Sequence, residues 1–274
     1  MDIHHFYDRH PISEEQVLAA VARRRGGGEE GTLGAEDLFD FDQDHYGGVA
    51  AVEALAARAR ISAASRTLDL GAGLGGPARF LATRRACRVV GLELNANRAA
   101  GGARLTRRVG LAGRVWLIRG DAQQLPFADA SFDACISQEA LLHISDKAAA
   151  LAGCRRVLRP GGRVAFTDWT ANPRLADRER NQLHAWMAAT TLQTLTSYPD
   201  LIRHAGFAWA EAEDLSPEWR AILRQRVTRF RSLRQDLVAR LGEPRYREYD
   251  QLYTFLVTLV DQGKLGSGRF WAAR

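Results

Sequence analysis

The chain has 274 residues, 46% of them hydrophobic and 26% charged. That suits one large α/β domain with elaborations, or a domain with a small cap, and no apolar stretch approaches the roughly 20 residues that span a bilayer. The net charge of +6 invites a nucleic-acid partner, but only Lys147 and Lys264 of the 38 basic residues are lysine. The densest basic stretch, Arg220 to Arg247, is interleaved with Glu218, Asp236, Glu243 and Glu248, the pattern of a solvated helix face.

Met1-Asp2-Ile3-His4-His5-Phe6 has neither a basic leader nor an apolar segment, so no signal peptide is read there. Residues 1–25 read as helical, with Ser13 and Gln16 as a capping box before the stripe Val17, Leu18, Val21. Gly26-Gly27-Gly28-Glu29-Glu30-Gly31 reads as a flexible linker. After Asp40-Phe41-Asp42-Gln43-Asp44-His45-Tyr46-Gly47-Gly48, a helix is marked by Val49, Val52, Leu55, Ala56 and Ala59.

From residue 66 strands and helices alternate. Strands are expected at 66–70, 88–93, 114–119, 132–137 and 163–168, with helices at about 76–85, 96–109 and 146–158. Near-continuous apolar runs such as Val115-Trp116-Leu117-Ile118 fit a parallel sheet covered on both faces. Arg159-Pro160-Gly161-Gly162 reads as a turn into the fifth strand. Residues 172–195 read as helical, a helix from Pro199 to Ala205 leads to a sixth strand near 207–211, and 216–262 reads as two helices broken around Leu241-Gly242-Glu243-Pro244. Gly268 to Ala273 is a seventh strand. The division expected is an N-terminal arm or lid, 1–60, and a doubly wound α/β domain, 61–274, with cap segments at 172–195 and 216–262.

The chemistry gathers at the carboxyl ends of the strands, where ligands of open α/β sheets lie. Strand one ends in Asp69-Leu70-Gly71-Ala72-Gly73-Leu74-Gly75-Gly76, whose glycines admit positive φ and a ligand against the backbone, and whose helix start presents N–H groups. Taken alone this run also satisfies the dinucleotide pattern G-x-G-x-x-G. Strand two ends at Glu93, which can accept both hydroxyls of a ribose. Strand three is followed by Asp121, able to face an adenine amine, and Ala122, whose N–H can meet a ring nitrogen. Strand four ends in Ser137-Gln138-Glu139-Ala140-Leu141-Leu142-His143. All four tips converge on one adenosyl ligand.

Leu68-Asp69-Leu70-Gly71-Ala72-Gly73, Gly120-Asp121-Ala122-Gln123-Gln124-Leu125-Pro126-Phe127, Ser131-Phe132-Asp133 and Arg156-Val157-Leu158-Arg159-Pro160-Gly161-Gly162 together resemble the class I S-adenosylmethionine-dependent methyltransferases over about residues 66–170. An NAD-binding Rossmann domain lacks the last three pieces. Ser137 to Ile144 with Asp146-Lys147 is most similar to the small-molecule branch that holds sarcosine/dimethylglycine and phosphoethanolamine N-methyltransferases. The resemblance implies a Rossmann-like seven-stranded sheet of order 3-2-1-4-5-7-6 with an antiparallel last strand, S-adenosyl-L-methionine as cofactor, and a small-molecule acceptor. It further implies that Gly71 and Gly73 carry the methionyl part, Glu93 the ribose, Asp121 and Ala122 the adenine, and Gln138 the sulfonium and amino-acid end, with Asp69 supporting the loop. His143 and Tyr46 are the counterparts of a histidine and an aromatic that close over the substrates.

Methylation of an amine nitrogen is expected ahead of oxygen or carbon acceptors of natural-product pathways, with a non-catalytic adenosyl-binding module as the reading from another class. A nucleic-acid methyltransferase is disfavoured because Ser137-Gln138-Glu139-Ala140 stands where base-amine enzymes carry Asn/Asp-Pro-Pro-aromatic. His4, His5, His10, His184 and His204 are scattered without ligand spacing, so no metal is expected. Trp169, Trp186, Tyr198 and Trp209 are candidates to stack on a substrate, and Arg174, Arg178, Arg180 and Arg203 to meet an anionic group. Cys87, Cys135 and Cys154 read as buried reduced thiols in a cytoplasmic protein, either a monomer or a homodimer.

Overall fold

Apolar segments too short for helices and joined by helical crossovers have one stable outcome, a parallel sheet with helices on both faces. In the computed structural model, which describes residues 3–8, 12–26 and 32–274, they form β1 (Arg66–Leu70), β2 (Arg88–Glu93), β3 (Val115–Arg119), β4 (Phe132–Gln138), β5 (Leu158–Ala171), β6 (Trp209–Asp214) and β7 (Leu265–Ala273). The order is β3-β2-β1-β4-β5-β7-β6. β1 pairs in parallel with both β2 and β4, whereas β7 runs antiparallel to β5 and β6. Leu70 stands level with Leu92 on one side and Ser137 on the other, so the tips of β1, β2 and β4 lie abreast where the winding reverses.

Helices α1 (Ile3–Asp8), α2 (Glu14–Arg24), α3 (Gly48–Arg58), α4 (Gly76–Arg84), α5 (Ala96–Arg108) and α6 (Lys147–Val157) precede the fifth strand. Ser13 caps α2 by accepting the Gln16 N–H, Asn95 caps α5 and Asp146 caps α6. One apolar layer packs α3, α4 and α5 against one face of the sheet. A second packs α6 and α8 (Ser197–His204) on the other.

Two expectations are corrected by the structure. The segment 172–195 is helical only as α7 (Asp177–Met187): Ala188 turns left-handed at φ 54°, and the Thr190 N–H then donates to Leu142 O at 2.9 Å, so the chain leaves the helix to join the turn after β4. The span 216–262 is three helices rather than two, α9 (Ser216–Ser232), α10 (Arg234–Leu241) and α11 (Glu243–Asp261). The helix expected after Ser13 is α2, and α1 precedes it. Smaller shifts affect the strands. β6 sits two residues later than expected, and β5 is lengthened because β7 pairs with it as far as Ala171. Gly161, at φ 78°, keeps the expected turn as an irregularity inside β5. Residues 27–31 of the expected glycine linker lie outside the described residues.

The loop 40–47 is fastened to the sheet by a buried ion pair. Arg79 of α4 and Asp42 both have side chains at 0% exposure, with Nη2 2.8 Å from Oδ2, and Arg79 also donates to Gly102 O and Thr106 Oγ1. Desolvation pushes the Asp42 carboxyl up and the guanidinium opposes it. Removing one partner leaves an uncompensated buried charge, so Asp42→Ala is expected to cost about 3–5 kcal/mol of stability. Urea denaturation reads this directly; a loss below about 1 kcal/mol, within the range of an exposed pair, would show the anchor to be dispensable.

Candidate active site

Four strand tips, the loop 40–47 and the cap enclose one cavity of about 620 Å³, within the usual range for small-molecule sites. Asp69, Gly71, Gly73, Glu93, Asp121, Ala122, Gln138, His143 and Tyr46 all line it. The topology therefore brings together every site residue expected from the sequence. Several have local partners that the sequence did not reveal.

Gly71 has φ 68°, and a Cβ built on it would lie 2.3 Å from Ala140 Cβ. Its small size thus serves the close approach of the turn after β4. Glu93 is tied to the backbone at both oxygens, Oε2 accepting Gly73 N–H at 2.9 Å and Oε1 accepting Asn95 N–H at 2.8 Å. It fixes the glycine loop and the start of α5, and each oxygen keeps a lone pair for a ligand hydroxyl. Asp69 is buried, its Oδ2 meets no protein donor, and burial together with the Glu93 charge pushes its carboxyl up to about 8. Asp121 accepts the Gln123 N–H at Oδ1, 2.8 Å. Gln138 places Nε2 2.9 Å from Nδ1 of His45 and leaves its buried Oε1 without a partner. Burial brings His45 down to about 4, so its ring is neutral. Nδ1 also lies 3.1 Å from the carbonyl oxygen of Tyr46, and Nε2 lies 3.0 Å from Gln43 Oε1.

His143, also on the cavity wall, closes a short 3-10 turn, Leu141–His143. Its Nδ1 lies 3.1 Å from Ala188 O. A carbonyl only accepts, so the ring proton is on Nδ1 and Nε2 carries a lone pair. Nε2 meets the hydroxyl of Tyr7 at 2.8 Å. The aromatic facing His143 is therefore Tyr7 of α1, not Tyr46. Tyr46 belongs to the wall: its ring stacks on Trp219 (4.6 Å, 17°), meets Trp169 edge-on, and lies under the Arg226 guanidinium at 4.1 Å. Its N–H donates to Glu139 Oε1 at 2.5 Å. Tyr7 is itself held by α5, with the Arg98 guanidinium 5.0 Å over its ring and Arg98 paired to Asp44 at 2.7 Å. Asp8 next to it accepts from Asn95 and Asn97.

The cap contributes Met187, Arg226, Arg229, Tyr249, Leu252, Tyr253 and Leu256, none of which periodicity distinguishes from ordinary helix positions. Glu139 is another lining group that sequence reading passed over. It sits at φ 53°, and burial pushes its carboxyl up to about 8. Of the candidate arginines, Arg174 binds carbonyls at 262–263 and Arg203 pairs with Asp200; Arg226 and Arg229 face the cavity instead. Of the candidate aromatics, Trp169 lines it. Tyr198 is core, Trp186 packs on Phe255, and Trp209 lies under Arg163.

A family described as "Methyltransferase domain" matches residues 68–166. The glycine/sarcosine/dimethylglycine N-methyltransferase of Actinopolyspora halophila is 33% identical over 79% of this chain and 38% of its own length. The 27-O-demethylrifamycin SV methyltransferase of Amycolatopsis mediterranei is 32% identical over 66% of this chain and 68% of its own. The chain thus spans about two fifths of the first relative and about two thirds of the second. Phosphoethanolamine N-methyltransferase 2 of Haemonchus contortus, solved with phosphomonomethylethanolamine and S-adenosylhomocysteine, superposes with a TM-score of 0.81 over 100% of this chain and 61% of its own, at 20% identity. At that identity the likeness speaks for the fold. The strand order, the glycine loop between β1 and α4, and identity over two thirds of a relative agree: the chain belongs to the class I S-adenosylmethionine-dependent methyltransferase family.

Proposed function

We propose that this protein transfers a methyl group from S-adenosylmethionine to the nitrogen of a small amine. The observation that carries the reading is the Tyr7–His143 hydrogen bond in the wall of the cavity that the strand tips also line. The donor set at the tips fits the cofactor. Asp69 Oδ2 and Gln138 Oε1 are buried acceptors without a protein partner, which is costly unless a ligand satisfies them. Glu93 and Asp121 add acceptors for hydroxyls and an amine. Bound there, S-adenosylmethionine supplies a methyl group activated by a sulfonium.

The protein's share is alignment, desolvation and proton handling. Alignment is worth roughly 7–11 kcal/mol in favourable cases. Helix α1 of the N-terminal arm acts as a lid: it lays Tyr7 on His143, and Asp8 binds the start of α5, which excludes water. The ammonium proton of the acceptor passes to the Tyr7 oxygen as the Tyr7 hydroxyl proton passes to the lone pair of His143 Nε2, before methyl transfer. A nitrogen acceptor is supported by the Glu139 carboxyl and the Trp169 ring on the cavity wall, a combination that suits a cation. The apolar side chains of Met187, Leu252 and Leu256 favour the second reading, oxygen or carbon methylation of a natural product. Three buried free thiols suit a reducing cytoplasm.

Incubation with isotopically labelled S-adenosylmethionine and a panel of amines, phenols and alcohols, read by mass spectrometry, is expected to place the label on nitrogen. Label on oxygen or carbon alone overturns the amine reading. Glu93→Ala is expected to weaken S-adenosylhomocysteine binding about tenfold or more, since hydrogen bonds to a charged group are worth about 1.5–3 kcal/mol; native affinity by calorimetry removes Glu93 from the ribose site. His143→Ala is expected to lower turnover about 10²–10⁴-fold with cofactor affinity nearly intact. Tyr7→Phe costs up to about tenfold, the range of one neutral hydrogen bond. Unchanged turnover in both variants rules the pair out of the mechanism.

A further inference from the structure

We propose that Lys147 is a positioning residue for His143, its buried ammonium clamping the turn that carries His143 to the cap segment that orients the imidazole. The proposal rests on the reading of His143 as the acid–base group for the acceptor.

Lys147 is 3% exposed although it is the first residue of α6. Local preference runs against it there: a cation at a helix N-terminus opposes the helix dipole, and burying an ammonium carries a desolvation penalty. Burial accordingly draws its pKa down to about 8, with the Asp168 carboxylate opposing the fall. Its Nζ lies within hydrogen-bond reach of four oxygens, Leu141 O, Ile144 O at 3.1 Å, Thr191 O at 2.9 Å and Thr191 Oγ1, so that one of its three protons is shared. Two of these oxygens bracket His143 in sequence, and two belong to the segment after α7. The chain offers a further hint, because nearly every other basic position is arginine. Carbonyls converging on a point suit a compact three-donor ammonium, where a planar guanidinium fork does not fit.

The same turn is held from the other side. Asp168, at 0% exposure, accepts the Leu142 N–H at Oδ1 (3.2 Å) and the Tyr198 hydroxyl at Oδ2. Leu142 O accepts Thr190 N–H at 2.9 Å and Thr190 Oγ1 at 3.2 Å. The segment 188–191 therefore meets the turn in two ways. Through Thr190 and Thr191 it is fastened to the backbone, and through Ala188 O it takes the Nδ1 proton of His143. Lys147 bridges both pieces. Without it, the distance from His143 Nδ1 to Ala188 O is no longer enforced, and the tautomer that leaves Nε2 unprotonated is no longer selected.

The test needs no acceptor, so its outcome is separate from that of the amine reading. ¹⁵N-histidine-labelled protein saturated with S-adenosylhomocysteine is examined at pH 7, where the Lys147 ammonium is protonated, by long-range ¹H–¹⁵N correlation, His143 being assigned through His143→Gln. The wild type is expected to show His143 as the Nδ1–H tautomer with a slowly exchanging proton. Lys147→Met, close in volume but without donors, is expected to show an averaged tautomer mixture, while S-adenosylhomocysteine affinity stays within about threefold. A folded Lys147→Met with the wild-type His143 signature overturns the proposal. If that variant does not fold, Thr191→Val decides: loss of the tautomer bias, restored in Thr191→Ser, supports the clamp, and an unchanged spectrum refutes it.

Discussion

The turn after β4 has to pass against the glycine loop after β1, and the rest of the site depends on that approach. Parallel strands wound outward in both directions from β1 and β4 leave a crevice where the winding reverses. Here it is narrowed until Ala140 occupies the space a side chain on Gly71 would need. Glycine at 71 is thus a packing requirement of the crevice as well as a turn requirement. The same approach presents Gln138, Glu139 and His143, which follow β4, to a cavity floored by Asp69, Glu93 and Asp121.

The site is built from polar groups that serve two purposes. Glu93 holds the glycine loop and the start of α5 before any ligand arrives, so an acceptor for hydroxyls is held in place in advance. Such pre-organisation spares a ligand the cost of ordering the loop. Asp69 and Gln138 show the opposite arrangement, with buried oxygens left open. Strain collects in the same place: Glu139 holds a left-handed backbone, a conformation a side-chain-bearing residue adopts only where its surroundings enforce it. Polar satisfaction is thus complete around the loop and incomplete where the cavity wall begins.

The cavity wall around His143 is assembled from pieces remote in sequence. Tyr7 reaches His143 across 136 residues, Ala188 sets its proton, and the Tyr46 wall is completed by Trp219 and Arg226 from α9. The loop 40–47 joins this wall to the strand tips, since Asp42 is anchored to α4, Asp44 to Arg98, His45 to Gln138 and Tyr46 to Glu139. A single loop thereby connects the adenosyl groups to the acceptor wall. The cap is more variable in its rules: α7 stops at Ala188 because the turn after β4 offers the chain better partners than another helical turn.

Residues 66–170 were legible because their signals are local: period and apolar runs for the strands, and acids at strand ends for the adenosyl tips. The pairing of His143 with Tyr7 rather than Tyr46 was not legible. It depends on how a short N-terminal helix docks, which neither periodicity nor spacing encodes. The same is true of Arg226 and Arg229 facing inward while Arg174 and Arg203 turn away, because helices of similar amphipathicity differ only in the surface they meet. The sequence by itself determined the strands and the acids at their tips, since apolar runs and a glycine turn are set by residues close in the chain. The order of the sheet was implied only by the resemblance to the family. Tertiary structure alone decided which aromatic meets the histidine and where its proton sits, because those contacts are made between segments that only packing brings together.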